Sequence, residues 1–195
     1  DFALVIPTAV EHWKANGRGG KAVLENEVWP RVRKLLTLPN PKVGHNFQFD
    51  TFWIEGWLGE KSMRASWAFD TLAAHHCLDP ISKHGLAYCA SVDSRQPFWK
   101  DDAKDWMTNS KAIKNMETLM RYNALDAMVT IELHHRYWAE IQKRGLEELY
   151  ERDYRQLFVP ILDMMAAGYR QDIGKRESLL IRLVERNREL DTQLT

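Results

Sequence analysis

The chain has 195 residues, 27 basic and 27 acidic side chains and a formal net charge of zero, and 45% of its residues are hydrophobic. That length holds one full domain, or one domain and part of another, and the apolar share excludes disorder and collagen-like repeats. The balanced charge excludes a protein that coats DNA electrostatically, and no apolar run is long enough to span a bilayer.

Two cysteines, Cys77 and Cys89, exclude a disulfide framework or a cysteine-built four-ligand zinc site. They read as buried, reduced thiols of a cytosol-like compartment. No signal peptide precedes the first residue. The chain opens on Asp1 rather than Met and runs at once into the strand-like Leu4–Pro7, so Asp1 reads as a cut end.

In chain order, Asn16-Gly17-Arg18-Gly19-Gly20 reads as a loop, and apolar spacing predicts a helix from Lys21 to Thr37, kinked or divided at Pro30. Pro39-Asn40-Pro41 stops it and leads into a short extended run, residues 42–46. Phe49, Phe52, Trp53 and Trp57 then recur at three- and four-residue spacing, which predicts a helix directly after the strand. Asp70 is a good N-cap for the helix opening at Thr71, and Asp79-Pro80 closes it. Ser82 reads as the cap of the next helix, to about Ser91, and residues 93–110 as an irregular loop. The longest helix spans about Lys111 to Arg144 and ends before Gly145, a C-terminal signal. Beyond it, Tyr154–Ala167 is amphipathic, Gly168 is a break, and Gly174–Leu194 is a charged helix with a solvated face. Strands followed by helices suggest an α/β layered domain, with the tail opening a helical one.

Two constellations carry chemistry. In the long helix Leu119, Tyr122, Asp126, Val129 and Leu133 share one stripe, apolar except at Asp126. A carboxylate facing a core is costly unless a cation or donors satisfy it, and Tyr122 lies within its reach one turn earlier. The plainer reading is a core-edge Asp bonded to backbone beside a packing Tyr. In Gly44-His45-Asn46-Phe47-Gln48-Phe49-Asp50, a strand ends at Asn46 and Asp50 falls in the first turn of the next helix. There a carboxylate can hold a divalent cation at the sheet edge, or simply complement the helix dipole.

The runs "KVGHNFQFD" and "YNALD" resemble the second and third motifs of the DEDDy 3′–5′ exonucleases. "FDTLAAHHCLDPISKHGLAYCA" is similar to the linking helices in the proofreading domain of bacterial DNA polymerase I-like, family A DNA polymerases. "YRQLFVPILDMMAAGYRQDIGKRESLLIRLVERNREL" resembles the start of the polymerase region that follows there. The resemblance implies a ribonuclease H-like fold, a mixed sheet flanked by helices and lacking its first strands. It implies residues 1–145 as the exonuclease domain and residues 146–195 as the start of the polymerase region.

Carried over, Asp50 and Asp126 match the metal carboxylates, Tyr122 the tyrosine that orients the attacking water, and Asn46 the polar residue preceding Asp50. Lys83 stands where the family often has a basic residue able to touch substrate phosphate, and Phe49 could stack on a frayed 3′-terminal base or belong to the core. The implied cofactors are two Mg²⁺ or Mn²⁺ ions, the implied partner is the 3′ end of single-stranded or primer–template DNA together with the rest of a polymerase chain, and the implied location is cytoplasmic. Hard cations of this kind call for carboxylate oxygens, and Tyr122 reads as a residue that positions water rather than one that acts as a base.

The family's first motif, Asp-x-Glu, occurs nowhere in the chain, and Ala3 stands where its Glu would fall. Leu4–Pro7 resembles a later strand of the family, which points to truncation upstream and to a fragment inactive or weak by itself. Two further readings are an RNase D-like exoribonuclease and a catalytically silent exonuclease-like scaffold. His75-His76 and His134-His135 read as surface or supporting residues, because adjacent side chains diverge on a helix. Trp13, Trp29, Trp53, Trp57 and Trp138 read as packing residues, and Arg31, Arg33 and Lys34 as a solvated helix face.

Overall fold

The computed structural model describes residues 3–6, 20–59, 61, 63–103 and 116–194. Residues 3–6 carry no strand, which corrects the extended segment expected from Leu4 to Pro7; Pro7, Trp13, most of the Gly-rich loop and residues 111–115 lie outside the described residues. The first helical stretch comprises α1 (Lys21–Val23), a π-helical turn (Leu24–Val28) and α2 (Trp29–Leu36), with Pro30 at the start of α2. Pro30 has no N–H to return to the preceding turn, and the widened turn lies immediately before it.

β1 (Lys42–Gly44) is shorter than expected, because Asn46 leaves extended geometry for φ 56° and opens α3 (Phe47–Leu58). A 3₁₀ turn (Met63–Ser66) leads into β2 (Trp67–Asp70), which pairs parallel with β1 so that Val43 faces Phe69 and Gly44 faces Asp70. Asp70 caps α4 (Thr71–Leu78), its carboxylate accepting from the Leu72 amide at 2.9 Å. The following helix, α5 (Leu86–Asp93), starts from Gly85 and not from Ser82. The Ser82 hydroxyl is already committed, donating to Asp79 Oδ2 at 2.6 Å. Within the expected loop a 3₁₀ turn forms at Lys100–Ala103. The long helix α6 (Met116–Arg144) ends on Gly145 at φ 66°. Then α7 (Glu147–Tyr150), a π turn (Glu151–Arg155) and α8 (Gln156–Ala167) run on without a break, so this helix begins earlier than Tyr154.

Val129, Leu133, Tyr137 and Ile141 recur every four residues along α6 and are all buried. They meet Phe69 of β2, Ala74 of α4, Cys89 and Ala90 of α5, Trp99 and Tyr150 in one core. Cys89 is buried within it, while Cys77 at its margin is half-buried. A smaller cluster joins Trp67, Phe158 and Leu162, with Phe47 and Phe52 packed on it; the Trp67 and Phe158 rings stack at 4.0 Å. Beside it, Glu55 and Arg64 form a buried ion pair at 2.6 Å. Among the described residues the chain is therefore mostly helical around one small parallel sheet, where a mixed sheet was expected. Two compact units are distinguished, one up to Leu162 and one from Asp163. The second contains α9 (Ile173–Leu194), whose Leu179, Leu180, Leu183 and Val184 are exposed. No helix among the described residues is long and apolar enough to cross a membrane.

Candidate active site

The corner between β1 and α3 is fixed by a single buried carboxylate. Asp70 Oδ1 accepts from the Asn46 amide at 3.0 Å and Oδ2 from the Phe47 amide at 2.8 Å, while Oδ1 also caps α4. One side chain thus satisfies first-turn donors of two helices, groups that have no partner inside a helix. Burial raises the Asp70 pKa, and these three amides together with that of Ala73 pull it back. The Tyr150 hydroxyl accepts from the Asp70 amide at 3.0 Å and ties the same residue to α7. Thr71 Oγ1 donates to the Gly44 carbonyl at 3.2 Å and pairs with His45 Nδ1 at 2.9 Å. Asn46 is thereby held in left-handed geometry at the strand end, and Asp50 falls in the first turn of α3.

Asp50 lines a groove of about 620 Å³ with Leu35, Leu38, Pro41, Phe47 and Ile54. Partial desolvation there pushes its carboxyl pKa upward, and no cation pairs with it among the described residues. Phe49, Trp53 and Trp57 stand on the outer face of α3, 55%, 62% and 47% exposed. This corrects the expectation of a packing residue at Trp53 and leaves Phe49 outside the core, whereas the Trp57 ring packs on that of Trp29 with centres 4.8 Å apart. The helix also buries the polar Thr51 and Glu55, beside the Phe47 and Phe52 that pack on the Trp67–Phe158 cluster.

On α6, Tyr122 and Asp126 occupy adjacent turns at the exposed end of the buried stripe. Asp126 Oδ1 accepts from the Trp99 indole at 2.8 Å and from the Lys100 ammonium at 2.6 Å. The same ammonium donates to the Tyr122 hydroxyl at 2.8 Å and lies 4.4 Å from the centre of its ring. The cost of a carboxylate at the core edge is thus met by one cation and one neutral donor. Neither Trp99 nor Lys100 was singled out from the sequence. Trp99 is the one large apolar residue between Phe98 and Trp106 in a polar stretch, and that was the available signal.

The structure therefore joins Tyr122 to Asp126, and Asn46 to the turn that carries Asp50. It does not join the two halves: among the described residues no hydrogen bond links Asp50 to Asp126, and no group of three or more His, Cys, Asp or Glu is arranged to hold a metal ion. Helix α6 does pack against β1, the strand that leads to Asp50. Lys83 is exposed between α4 and α5. His75 is buried and His76 exposed, as divergence on a helix requires, yet His84 folds back with its ring about 5 Å from each and its Nδ1 2.8 Å from that of His75.

The chemistry of these donors suits a hard divalent cation, since both carboxylates offer oxygen and Asp50 has no counter-charge among the described residues. Two carboxylates are fewer than such an ion takes as ligands. What the site defines is a carboxylate and tyrosine pair on a helix beside a strand-end carboxylate. A family model described as 3′–5′ exonuclease matches residues 18–142. The chain belongs to that family, the exonuclease domains of the DNA polymerase A and RNase D kind. No curated protein and no solved structure gives a significant match to the chain.

Proposed function

We propose that this domain removes nucleotides from the 3′ end of single-stranded or frayed DNA, as the proofreading part of a family A DNA polymerase. The observation that carries the reading is the pairing of Tyr122 with Asp126 one turn apart on α6, inside a stretch that matches the exonuclease family. Residues 1–145 are read as a ribonuclease H-like exonuclease domain, and residues 146–195 as the start of a polymerase region.

Asp50 and Asp126 would hold Mg²⁺ or Mn²⁺, which when bound acidifies a water and neutralises charge on the phosphodiester. Tyr122 accepts from Lys100, which fixes the direction of its phenol, and in this reading it orients the attacking water. Asn46, fixed at the strand end by Asp70, faces the terminal nucleotide, and exposed Phe49 offers a ring to its base. Lys83 belongs to the reading as a phosphate contact more distant from the reacting bond. Two metal ions need more than two carboxylates, so the reading requires further ones of the Asp-x-Glu kind in the working protein. The 195 residues by themselves are then inactive or very weak.

The test is Mg²⁺-dependent shortening of a 5′-labelled single strand by the full-length protein. Asp50→Asn and Asp126→Asn should each lower the rate about 100-fold or more, the several kcal/mol that a metal ion contributes to transition-state charge. Variants that cut DNA at the normal rate would remove both residues from the metal site. RNA cut in preference to DNA would replace the proofreading reading with an RNase D-like one, and no cutting of either would leave a silent scaffold.

A further inference from the structure

Lys100 lies in a stretch where the sequence pointed to no function, yet its ammonium touches both residues assigned to the chemistry. An ammonium carries three N–H donors and accepts nothing. One goes to Asp126 Oδ1 at 2.6 Å and one to the Tyr122 hydroxyl at 2.8 Å; no other described residue takes the third. The side chain is 15% exposed, so the charge sits at the mouth of the site and not within the core. Its stem is held by its neighbour: Trp99 is buried in the main core and bonds Asp126 through its indole, which sets where the next residue can reach.

A structural counter-ion for Asp126 alone would not need to reach Tyr122 as well. The neutral Trp99 donor already satisfies part of that carboxylate, and the ammonium also lies 4.4 Å from the centre of the tyrosine ring. We propose that Lys100 is a phosphate-binding residue of the exonuclease site, its third donor taking a non-bridging oxygen of the 3′-terminal phosphodiester while it holds Tyr122 in place. The inference rests on the nuclease reading above.

A single phosphate contact has a signature separate from catalysis. Each one adds about 0.7 to the slope of log affinity against log salt for a single strand. The experiment is fluorescence anisotropy of a labelled oligothymidylate with a free 3′ hydroxyl, titrated with the 195-residue chain in EDTA over a series of salt concentrations. Lys100→Met should weaken binding several-fold and reduce the slope by about 0.7, whereas Lys100→Arg should keep the slope. Lys100→Gln retains donors for Tyr122 and Asp126 without the charge; it guards against unfolding of the methionine variant and should lose the same slope. Wild-type affinity and slope in folded Lys100→Gln would overturn the assignment while leaving the nuclease reading intact. Absence of salt-dependent binding by the unsubstituted chain, together with no 3′ shortening by the full-length protein, would overturn both.

Discussion

At the scale of single residues, Gly44 and Gly56 make opposite predictions. A Cβ on Gly44 would lie 2.3–2.6 Å from the Cβ and ring carbons of Phe47, atoms near the backbone that cannot swing away. Phe47 packs on the Trp67–Phe158 cluster, so the displacement would propagate into packed aromatic rings. Gly44→Ala should cost about 1–3 kcal/mol, the range for overpacking, and lower the melting temperature by several degrees. A Cβ on Gly56 would meet nothing within 4 Å. It lies inside α3, so Gly56→Ala should instead stabilise by about 0.5–1 kcal/mol through the lower entropy of the unfolded chain. Thermal melts of the two variants read both signs, and a destabilised Gly56→Ala would mean that this face of α3 is covered. Legibility at this scale is uneven for a physical reason. Asp126 announces itself as a charge in an apolar stripe, but Lys100 is an ordinary charged residue among charged residues. Only the contact made across a gap of 26 positions gives it meaning, and no periodicity reports such a contact.

At the scale of elements, Asp70 is the join on which two helices depend. Its role as cap of α4 was readable, because Asp before Thr71-Leu72-Ala73-Ala74 is a local signal. Its second role was not, because the amides of Asn46 and Phe47 reach Asp70 only when β1 and β2 pair in parallel. Asp70→Asn keeps one acceptor oxygen and turns an NH₂ group toward an amide that needs an acceptor. The variant should lose about 1–3 kcal/mol, with amide exchange at Asn46, Phe47 and Leu72 accelerated about tenfold for each 1.4 kcal/mol lost locally. Unchanged exchange at Asn46 and Phe47 would show that the β1–α3 corner stands without Asp70. The same contrast holds for the other elements. Long helices such as α6 were legible from four-residue spacing and a terminal glycine. The start of α5 was misplaced because Ser82, a good cap by type, is spent on Asp79, and the face of α3 was misread at Trp53, which is exposed while a buried Glu55–Arg64 pair and Thr51 lie inside.

At the scale of the whole molecule, the elements meet where His45 ends β1, and acid should weaken that meeting point. Burial, the largest cause, pushes the His45 imidazole down to about 4 against a backbone hydrogen bond at His84, and the nearby charges of Lys100, His75 and His84 add to the lowering. In the unfolded chain the ring titrates near 6.5. A base with a depressed folded pKa binds its proton more readily when unfolded, so its contribution is complete above pH 6.5 and is lost as pH falls toward 4. The loss approaches 1.4 kcal/mol per pH unit within that window and amounts to no more than about 3 kcal/mol, a sizeable share of the stability of a typical domain. Burial depresses His84 and His134 in the same sense, whereas it raises Asp50 and Asp70, whose protonation in the folded state offsets part of the loss near the carboxylate range. The raw pH profile therefore mixes opposing contributions, and the informative quantity is the difference from His45→Gln, which retains a side chain able to meet Thr71 Oγ1. Denaturant unfolding of both proteins at half-unit steps from pH 7.5 to 4 should show the wild type losing stability faster than the variant between 6.5 and 4, with the curves parallel above 7. Parallel curves throughout the range would mean that His45 is protonated without cost in the folded chain, and that the end of β1 is open to water rather than buried.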